Sequence, residues 1–175
     1  MRGTPAVNDF DGWVKQLGVA GRRPTAKRHL MSSGAPALPA VRRGLGHPNP
    51  MVRRLCVSVL DHLVDDESVP DLVAALDDDD AEVCRRALHA LACDQCKDNA
   101  CRPADDLFVP RAIELLHSPD PDVRAGAIDA LGRVAGRGKS PQIVTALELV
   151  AERDPDSGLR SMARRRALRV PRALA

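Results

Sequence analysis

The residues best suited to chemistry lie in one short segment that contains a histidine and three cysteines. They follow the pattern His89-x3-Cys93-x2-Cys96-x4-Cys101. Imidazole and thiolate groups are ligands that Zn²⁺ prefers, and four of them meet its tetrahedral demand. Two alternatives stay open: free thiols in an inert loop, or a structural or redox-active disulfide between two of the three cysteines. Whether a metal ion or a disulfide forms there, we expect it to hold the loop in place rather than to take part in catalysis.

Two further motifs have ordinary structural explanations. The run Asp77–Asp80 could attract a divalent cation, but it lies in a predicted turn between two helices. Asp80 is expected to cap the next helix there, and a solvated turn suits the other carboxylates. Residues 135–140 end like a phosphate-binding loop. They follow a predicted helix rather than a strand and lack the upstream glycine, so we expect a helix end and a linker.

The elements that position these residues repeat along the chain. Three segments open with the same apolar-proline pair, at Leu38-Pro39, Val69-Pro70 and Val109-Pro110. Every landmark shifts by 31 residues from the first segment to the second and by 40 from the second to the third. The constant shift of 40 indicates a single insertion, residues 94–102, between repeats two and three.

Each repeat reads as a pair of helices. The proline suits the first turn of the first helix, and Asn49, Asp80 and Asp120 are expected to cap the second. Apolar residues of the second helix fall on one face, at Val52, Cys56, Val59, Leu60 and Leu63. One such pair cannot bury that face alone, whereas stacked neighbours can. The predicted fold is therefore all-α, an α-solenoid of stacked antiparallel helix pairs.

The two ends of the chain depart from the repeat. Residues 1–24 are predicted to form a capping helix around Trp13 and a linker, residues 25–170 the repeats, and residues 171–175 a tail. A partial repeat around Ala26 and Leu30 precedes the first full one. A weaker fourth repeat is indicated by Asp154-Pro155-Asp156, interpreted as the equivalent of Asp120-Pro121-Asp122. An arginine-rich helix from Arg160 is expected to close the array.

The pattern Val-Pro-x-x-(Leu/Ile)-x-x-Leu, followed by Asp-x-x-Val-Arg-x-x-Ala-x-x-Ala-Leu, resembles the HEAT repeat in its short bacterial form, called PBS-lyase HEAT-like. The resemblance covers roughly residues 25–170 and implies the fold more than a function. Related iron hydroxylases use His-Glu pairs, and no histidine here precedes a glutamate. Related DNA glycosylases need aromatic surfaces, whereas this chain has a lone Trp13 outside the repeats and no tyrosine, which argues against that activity. A phycobilin-lyase-like or redox-associated role stays open as an alternative.

The repeat alignment assigns places to the cysteines. His89 shares its position with Ser58 and Asp129, and Cys93 shares its position with His62 and Arg133. These positions are otherwise polar, so His89 and Cys93 are expected to lie off the core. Cys56 aligns with Ala87 and Ala127, which predicts a buried small side chain. Cys84 occupies the position of Arg53 and Arg124, arginines expected to pair with turn carboxylates.

Composition limits the function classes. The chain has 175 residues, of which 44% are apolar and only 2% aromatic. It shows no secretory signal and no apolar run long enough to span a membrane, so a cytoplasmic protein is expected. Basic residues outnumber acidic ones ten to two in residues 1–54 and six to none in residues 157–175, whereas residues 55–156 hold 22 acidic and ten basic residues.

Two functions follow from the exposed surface. The first is a scaffold that binds another protein through polar positions of the second helices, at Ser58, His62, Asp129 and Arg133. The second is nucleic-acid binding through the basic ends. Its candidate residues are Arg22, Arg23, Lys27, Arg28, Arg42, Arg43, Arg160, Arg164, Arg165, Arg166 and Arg169. The acidic middle would repel a duplex laid along the whole array, which favours the first function.

Overall fold

A computed structural model describes residues 4–93, 103–138 and 140–168. This part of the chain contains ten α-helices and no β-strand. None of its helices is long and apolar enough to cross a membrane. The helices are α1 (Phe10–Gln16), α2 (Arg23–Ser33), α3 (Leu38–Arg43), α4 (Pro50–Leu63), α5 (Val69–Ala74), α6 (Ala81–Ala92), α7 (Val109–Leu115), α8 (Pro121–Ala135), α9 (Pro141–Arg153) and α10 (Ser157–Leu168).

The helices form the stacked pairs that the repeat predicts. The pairs are α3/α4, α5/α6, α7/α8 and α9/α10, and each first helix has a proline in its first turn. The fixed φ of proline suits that position, and its missing N–H costs nothing there. Second helices of successive repeats pack against one another, so α4 contacts α6, α6 contacts α8, and α8 contacts α10. The α-solenoid is confirmed.

One apolar core runs through the whole array. The predicted stripe of α4 is fully buried at Val52, Cys56, Val59 and Leu60. Small residues let the second helices approach closely, because a methyl group at Gly126 would lie only 2.9 Å from Cγ of Arg85 on the previous second helix. Leu, Val and Ala fill most of this thin core, as the scarcity of aromatic residues predicts.

The N-terminal helix α1 covers one end of that core. Trp13 is buried, and its indole Nε1 donates a hydrogen bond to the carbonyl of Ala6 at 3.0 Å. Its ring stacks on the imidazole of His29 with 4.3 Å between ring centroids. Asp9 caps α1 by accepting a hydrogen bond from the Gly12 amide. Helix α1 also packs against α3 of the first full repeat, as expected of a cap.

The turns before the second helices share one set of hydrogen bonds. Asn49, Asp80 and Asp120 each accept a hydrogen bond from an amide in the first turn of the helix, which confirms the predicted caps. In the fourth repeat the cap is Asp156, which accepts from the amides of Gly158 and Leu159. Asp156 is therefore the equivalent of Asp120, and the alignment that paired Asp154 with Asp120 was wrong by two residues. The second helix of the fourth repeat, which begins at Ser157, therefore follows that of the third, which begins at Pro121, by 36 residues.

An arginine in each of three second helices closes this turn. Arg53, Arg124 and Arg160 each donate through Nη1 to the carbonyls six and five residues earlier. Two of them also reach the next repeat. Arg53 binds Asp78 at 2.8 Å, and Arg124 binds Asp154 at 2.9 Å. The predicted pairing of Arg53 and Arg124 with turn carboxylates is confirmed, and each pair ties one repeat to the next.

The aspartate run is less solvated than the sequence suggests. Asp79 is exposed, but Arg53 binds Asp78 and Arg54 binds Asp80. Burial opposes ionisation of Asp78, yet the hydrogen bonds from Arg53 and from the Asp80 amide lower the pKa of Asp78 below its ordinary value. The hydrogen bond from Arg54 likewise lowers the pKa of Asp80. The run is therefore a docking point for the preceding repeat.

Candidate functional site

Three side chains with metal-binding atoms converge where α4 and α6 end. Asp61 lies in the last turn of α4, His89 in the last turn of α6, and Cys93 directly after α6. One ligand atom from each residue lies within 4.8 Å of the others. His89 Nε2 is 3.7 Å from Asp61 Oδ2. We refer to these three residues as the Asp-His-Cys cluster.

The cluster is half enclosed by the helix ends. The Asp61 side chain is 14% exposed, and its Oδ1 atom is buried without a hydrogen-bond partner in the part of the chain that the structure describes. His89 is more open to solvent. Cys93 is a free thiol that is only 3% exposed. An acidic oxygen, an imidazole nitrogen and a thiol therefore share one small polar site.

The burial of Cys93 differs from the sequence-based expectation. His89 and Cys93 were both expected off the core, and for Cys93 this was wrong. In the first and third repeats the helix continues through the equivalent positions, His62 and Arg133. Helix α6 ends at Ala92, and Cys93 adopts extended backbone angles (φ −80°, ψ 128°). The early helix end therefore removes Cys93 from the helical register on which the expectation was based.

The other predicted ligands fall outside this description. Cys96 and Cys101 lie in residues 94–102, outside the described part of the chain, so the four-ligand zinc site stays a prediction.

Cys56 and Cys84 are buried in the helical core. Burial raises the pKa of Cys56 to about 12 and that of Cys84 to about 11, which keeps both as unreactive thiols. The prediction that Cys56 is a buried small side chain is confirmed.

Most of the polar positions predicted to bind a partner also hold the repeats together. Ser58 accepts a hydrogen bond from Lys27 Nζ at 2.7 Å. Asp129 binds Arg133 on its own helix and Arg166 on α10. His62 is exposed. Partner binding through these residues stays a prediction, and three of the four already have contacts within the chain.

The basic residues of the first end are largely engaged as well. Arg42 binds Glu67 and Asp71, and Arg43 binds Asp11. Arg22 donates to the Gln16 side chain, and Arg23 to the Leu17 carbonyl. Arg28 is exposed beside Lys27 in a shallow groove. Most of the basic side chains that would contact nucleic-acid phosphates are thus already bound to carboxylates or carbonyl groups of the chain.

The basic residues of the last helix divide in the same way. Arg160 closes its turn, Arg164 donates to the Ala151 carbonyl at 3.4 Å, and Arg166 binds Asp129. Arg165 is exposed, and Arg169 lies outside the described residues. Nucleic-acid binding through these ends stays a prediction.

A second surface feature was not predicted from the sequence. An apolar groove of about 440 Å³ lies between the start of α5 and the segment before α7. Leu107 is 53% exposed within it. Its lining comes from residues far apart in the chain, on either side of the insertion, so no local pattern announces it. The lining residues are Asp66, Val69, Pro70, Val73, Pro103, Ala104 and Leu107.

Comparison with known families agrees with the observed repeats. A family model described as HEAT repeats matches residues 22–92, and a second one described as HEAT repeat matches residues 108–136. Together the two matches cover more than half of the chain. No curated protein matches the sequence.

Solved structures share the architecture. The complex of CpcE and CpcF of phycocyanin lyase from Nostoc sp. PCC7120 contains a chain with a TM-score of 0.74 at 17% identity, covering 92% of this chain and 99% of that one. A designed armadillo repeat protein in complex with the peptide (KR)4 has a TM-score of 0.60 at 17% identity, covering 92% of this chain and 81% of that one. At these identities the likeness shows the fold alone, and lyase-like activity stays a prediction.

Proposed function

Because the chain belongs to the HEAT-repeat proteins, we propose that it is a scaffold without catalytic activity that binds a peptide segment of another protein. Stacked helix pairs form an extended surface, and repeat proteins use such surfaces to bind partners. The observation that carries the proposal is the apolar groove beside α5, which leaves Leu107 open to solvent. A groove lined by Val, Pro and Leu side chains suits an apolar side chain of a partner.

Charge around the groove selects the kind of peptide. Asp66 lines the groove and Glu67 follows it, while Asp105 and Asp106 precede Leu107 on the other side. All four are exposed. Arg42 binds Glu67, and Arg137 Nη1 lies 3.5 Å from Asp105 Oδ1, which offsets part of this charge, while the exposed Asp106 keeps the edge of the groove acidic. We therefore infer that the partner segment has an apolar residue flanked by lysine or arginine. The carboxylates around the groove would attract the basic residues, and the apolar side chain would be buried in the groove.

One structural neighbour supports the choice of a basic peptide. The designed armadillo repeat protein is bound to a peptide of alternating Lys and Arg. A helical-repeat protein of similar fold thus binds a basic peptide. In the present chain the apolar groove adds an anchor for one side chain, and burying a leucine-sized side chain contributes about 1.5–3 kcal/mol.

The test is a selection of displayed random peptides on the full-length chain, followed by affinity measurements with synthetic versions of the enriched peptides. We expect enriched sequences with an apolar residue between basic ones, and affinity that falls as salt is raised. Leu107→Ser should weaken binding about tenfold or more. Val19→Ser is the matched control, because Val19 is a similarly exposed apolar residue (47%) outside the groove.

Three results would overturn the proposal. Enriched peptides without basic residues would contradict the inference that the partner segment is basic. Equal peptide affinities for the Leu107 and Val19 variants would show that the peptide does not bind in the apolar groove. Binding of a fluorescent DNA duplex at low salt, with no enriched peptide, would favour the nucleic-acid function instead.

A further inference from the structure

We propose that Asp61, His89 and Cys93 form a binding site for one Zn²⁺ ion, in which Asp61 from the preceding repeat is a direct ligand. The sequence places a histidine and cysteines near one another but gives no reason to choose Asp61, which lies 28 residues before His89. The ion would link the ends of α4 and α6, and so two successive repeats. This site is separate from the apolar groove and does not depend on peptide binding.

The distances suit a bound ion. Two ligands at about 2.1 Å from zinc in a tetrahedron lie about 3.4 Å apart. His89 Nε2 and Asp61 Oδ2 are 3.7 Å apart, and the Cys93 sulfur belongs to a set whose members all lie within 4.8 Å. Small side-chain rotations would therefore bring the three atoms to coordination distance.

The electrostatics also favour a cation. Asp61 Oδ1 is a buried carboxylate oxygen with no hydrogen-bond partner among the described residues. A buried acceptor without a partner is costly, and a cation beside this carboxylate would offset that cost. Both α4 and α6 end at the cluster, and carbonyl groups at helix C-termini carry partial negative charge. A bare Asp61–His89 ion pair would leave the Cys93 thiol unused and Oδ1 without a partner.

The ligand types select the metal. A thiolate and an imidazole favour Zn²⁺ over Mg²⁺ and Ca²⁺, which take oxygen ligands. Three protein ligands leave one position of a tetrahedral ion for water or another donor. Binding requires the deprotonated thiol, so zinc uptake releases a proton and strengthens as the pH rises.

The experiment uses the full chain, reduced and freed of metal. Titration with Co²⁺ should give one equivalent of binding and a sulfur-to-cobalt charge-transfer band, and Zn²⁺ should displace it. Cys93→Ser should abolish the band, and Asp61→Asn should weaken Zn²⁺ binding at least about tenfold. Cys84→Ser is the control, because Cys84 is also a buried thiol but lies near the start of α6, whereas Cys93 follows its end. Circular dichroism of each variant verifies folding.

Three outcomes would overturn the site. The first is no uptake of Co²⁺ by the reduced chain. The second is a folded Asp61→Asn variant that binds Zn²⁺ as tightly as the unchanged chain. The third is binding that is lost in Cys96→Ser and Cys101→Ser but kept in Cys93→Ser, which would place the ion elsewhere.

Discussion

Arg124 and Asp154 show how a single residue pair ties two repeats together. Their side chains are only 10% and 3% exposed, and two hydrogen bonds join them. Arg124 also holds two carbonyls of its own turn. Removal of the arginine would leave the Asp154 carboxylate buried without its counter-charge. The net attraction between the two charges therefore contributes less to stability than the removal of one partner would cost.

We expect Arg124→Ala to lower the free energy of unfolding by about 3–5 kcal/mol, because it isolates a buried carboxylate. Chemical denaturation followed by circular dichroism measures this. Arg43→Ala is the control, since Arg43 and Asp11 form an ion pair whose side chains are 61% and 56% exposed. Such exposed pairs contribute less than about 1 kcal/mol. Equal losses in the two variants would contradict the importance assigned to burial.

The sequence predicted the roles of residues that recur at the same position in several repeats better than those of residues that do not. The repeat pattern identified Arg53 and Arg124 as structural, because they recur at one position. It did not identify Asp154 as the partner of Arg124, because the fourth repeat is shifted by 36 residues and its weak pattern misplaced the turn by two. The same limit hid Asp61: its contact with His89 depends on how two helices face one another, which composition and spacing do not encode.

At the scale of helices, one repeat junction lacks the arginine link. Cys84 stands at the position of Arg53 and Arg124, and Ser118 stands at the position of Asp78 and Asp154. Both partners of the pair are thus replaced together between the second and third repeats. Arg111 on α7 provides another link there, since it binds Asp77 at 2.6 Å on the surface. Arg137, which follows α8, also donates a hydrogen bond to the Ala92 carbonyl at the end of α6, and α6 packs closely against α8.

The missing link can be restored by design. Cys84→Arg alone should destabilise the chain by on the order of 3 kcal/mol, because it buries a charge where the next repeat offers Ser118 in place of a carboxylate. Addition of Ser118→Asp should recover part of that loss, with a coupling of about 0.5–3 kcal/mol in a double-mutant cycle. The pair Cys84→Arg with Ser118→Asn is the control of similar size without charge. Equal recovery by Asn and Asp would argue against an ion pair.

Helices were more predictable than the features at their ends. The proline openings, the caps and the buried stripes are set by neighbouring residues, so the sequence indicated them. The end of α6 at Ala92 was not indicated, because the equivalent helices run on and nothing at Cys93 marks a stop. The apolar groove was also missed, since Val69 and Leu107 are far apart in the sequence and meet only in the folded chain.

At the scale of the whole molecule, carboxylates that bind arginines make the fold sensitive to acid. Hydrogen bonds from arginines lower the pKa values of Asp80 and Glu82. Burial opposes this at Asp78 and Asp154, but their bonds to Arg53 and Arg124 lower their pKa values as well. These groups release protons more readily in the folded chain than in the unfolded one. They stabilise the fold above the ordinary carboxyl pKa of about 4, and this contribution is lost as the pH falls below it.

We expect the thermal unfolding midpoint to be lower at pH 3 than at pH 7, because the unfolded chain binds more protons in that interval. Circular dichroism melts at both pH values measure the difference. Asp154→Asn should show a smaller drop than the unchanged chain, since one of the responsible groups has been removed. A midpoint that is the same at the two pH values would contradict the linkage.

The position of Trp13 has a practical consequence for following the unfolding of this chain. It is the single tryptophan, tyrosine is absent, and the indole lies on α1 at one end of the core. Intrinsic fluorescence, which the stacked imidazole of His29 would modulate, therefore reports on the cap alone, whereas far-ultraviolet dichroism reports on every helix. In an array whose repeats contact only their neighbours, the two signals need not change together. Any gap between them measures how far fraying at the first repeat proceeds before the remaining repeats follow.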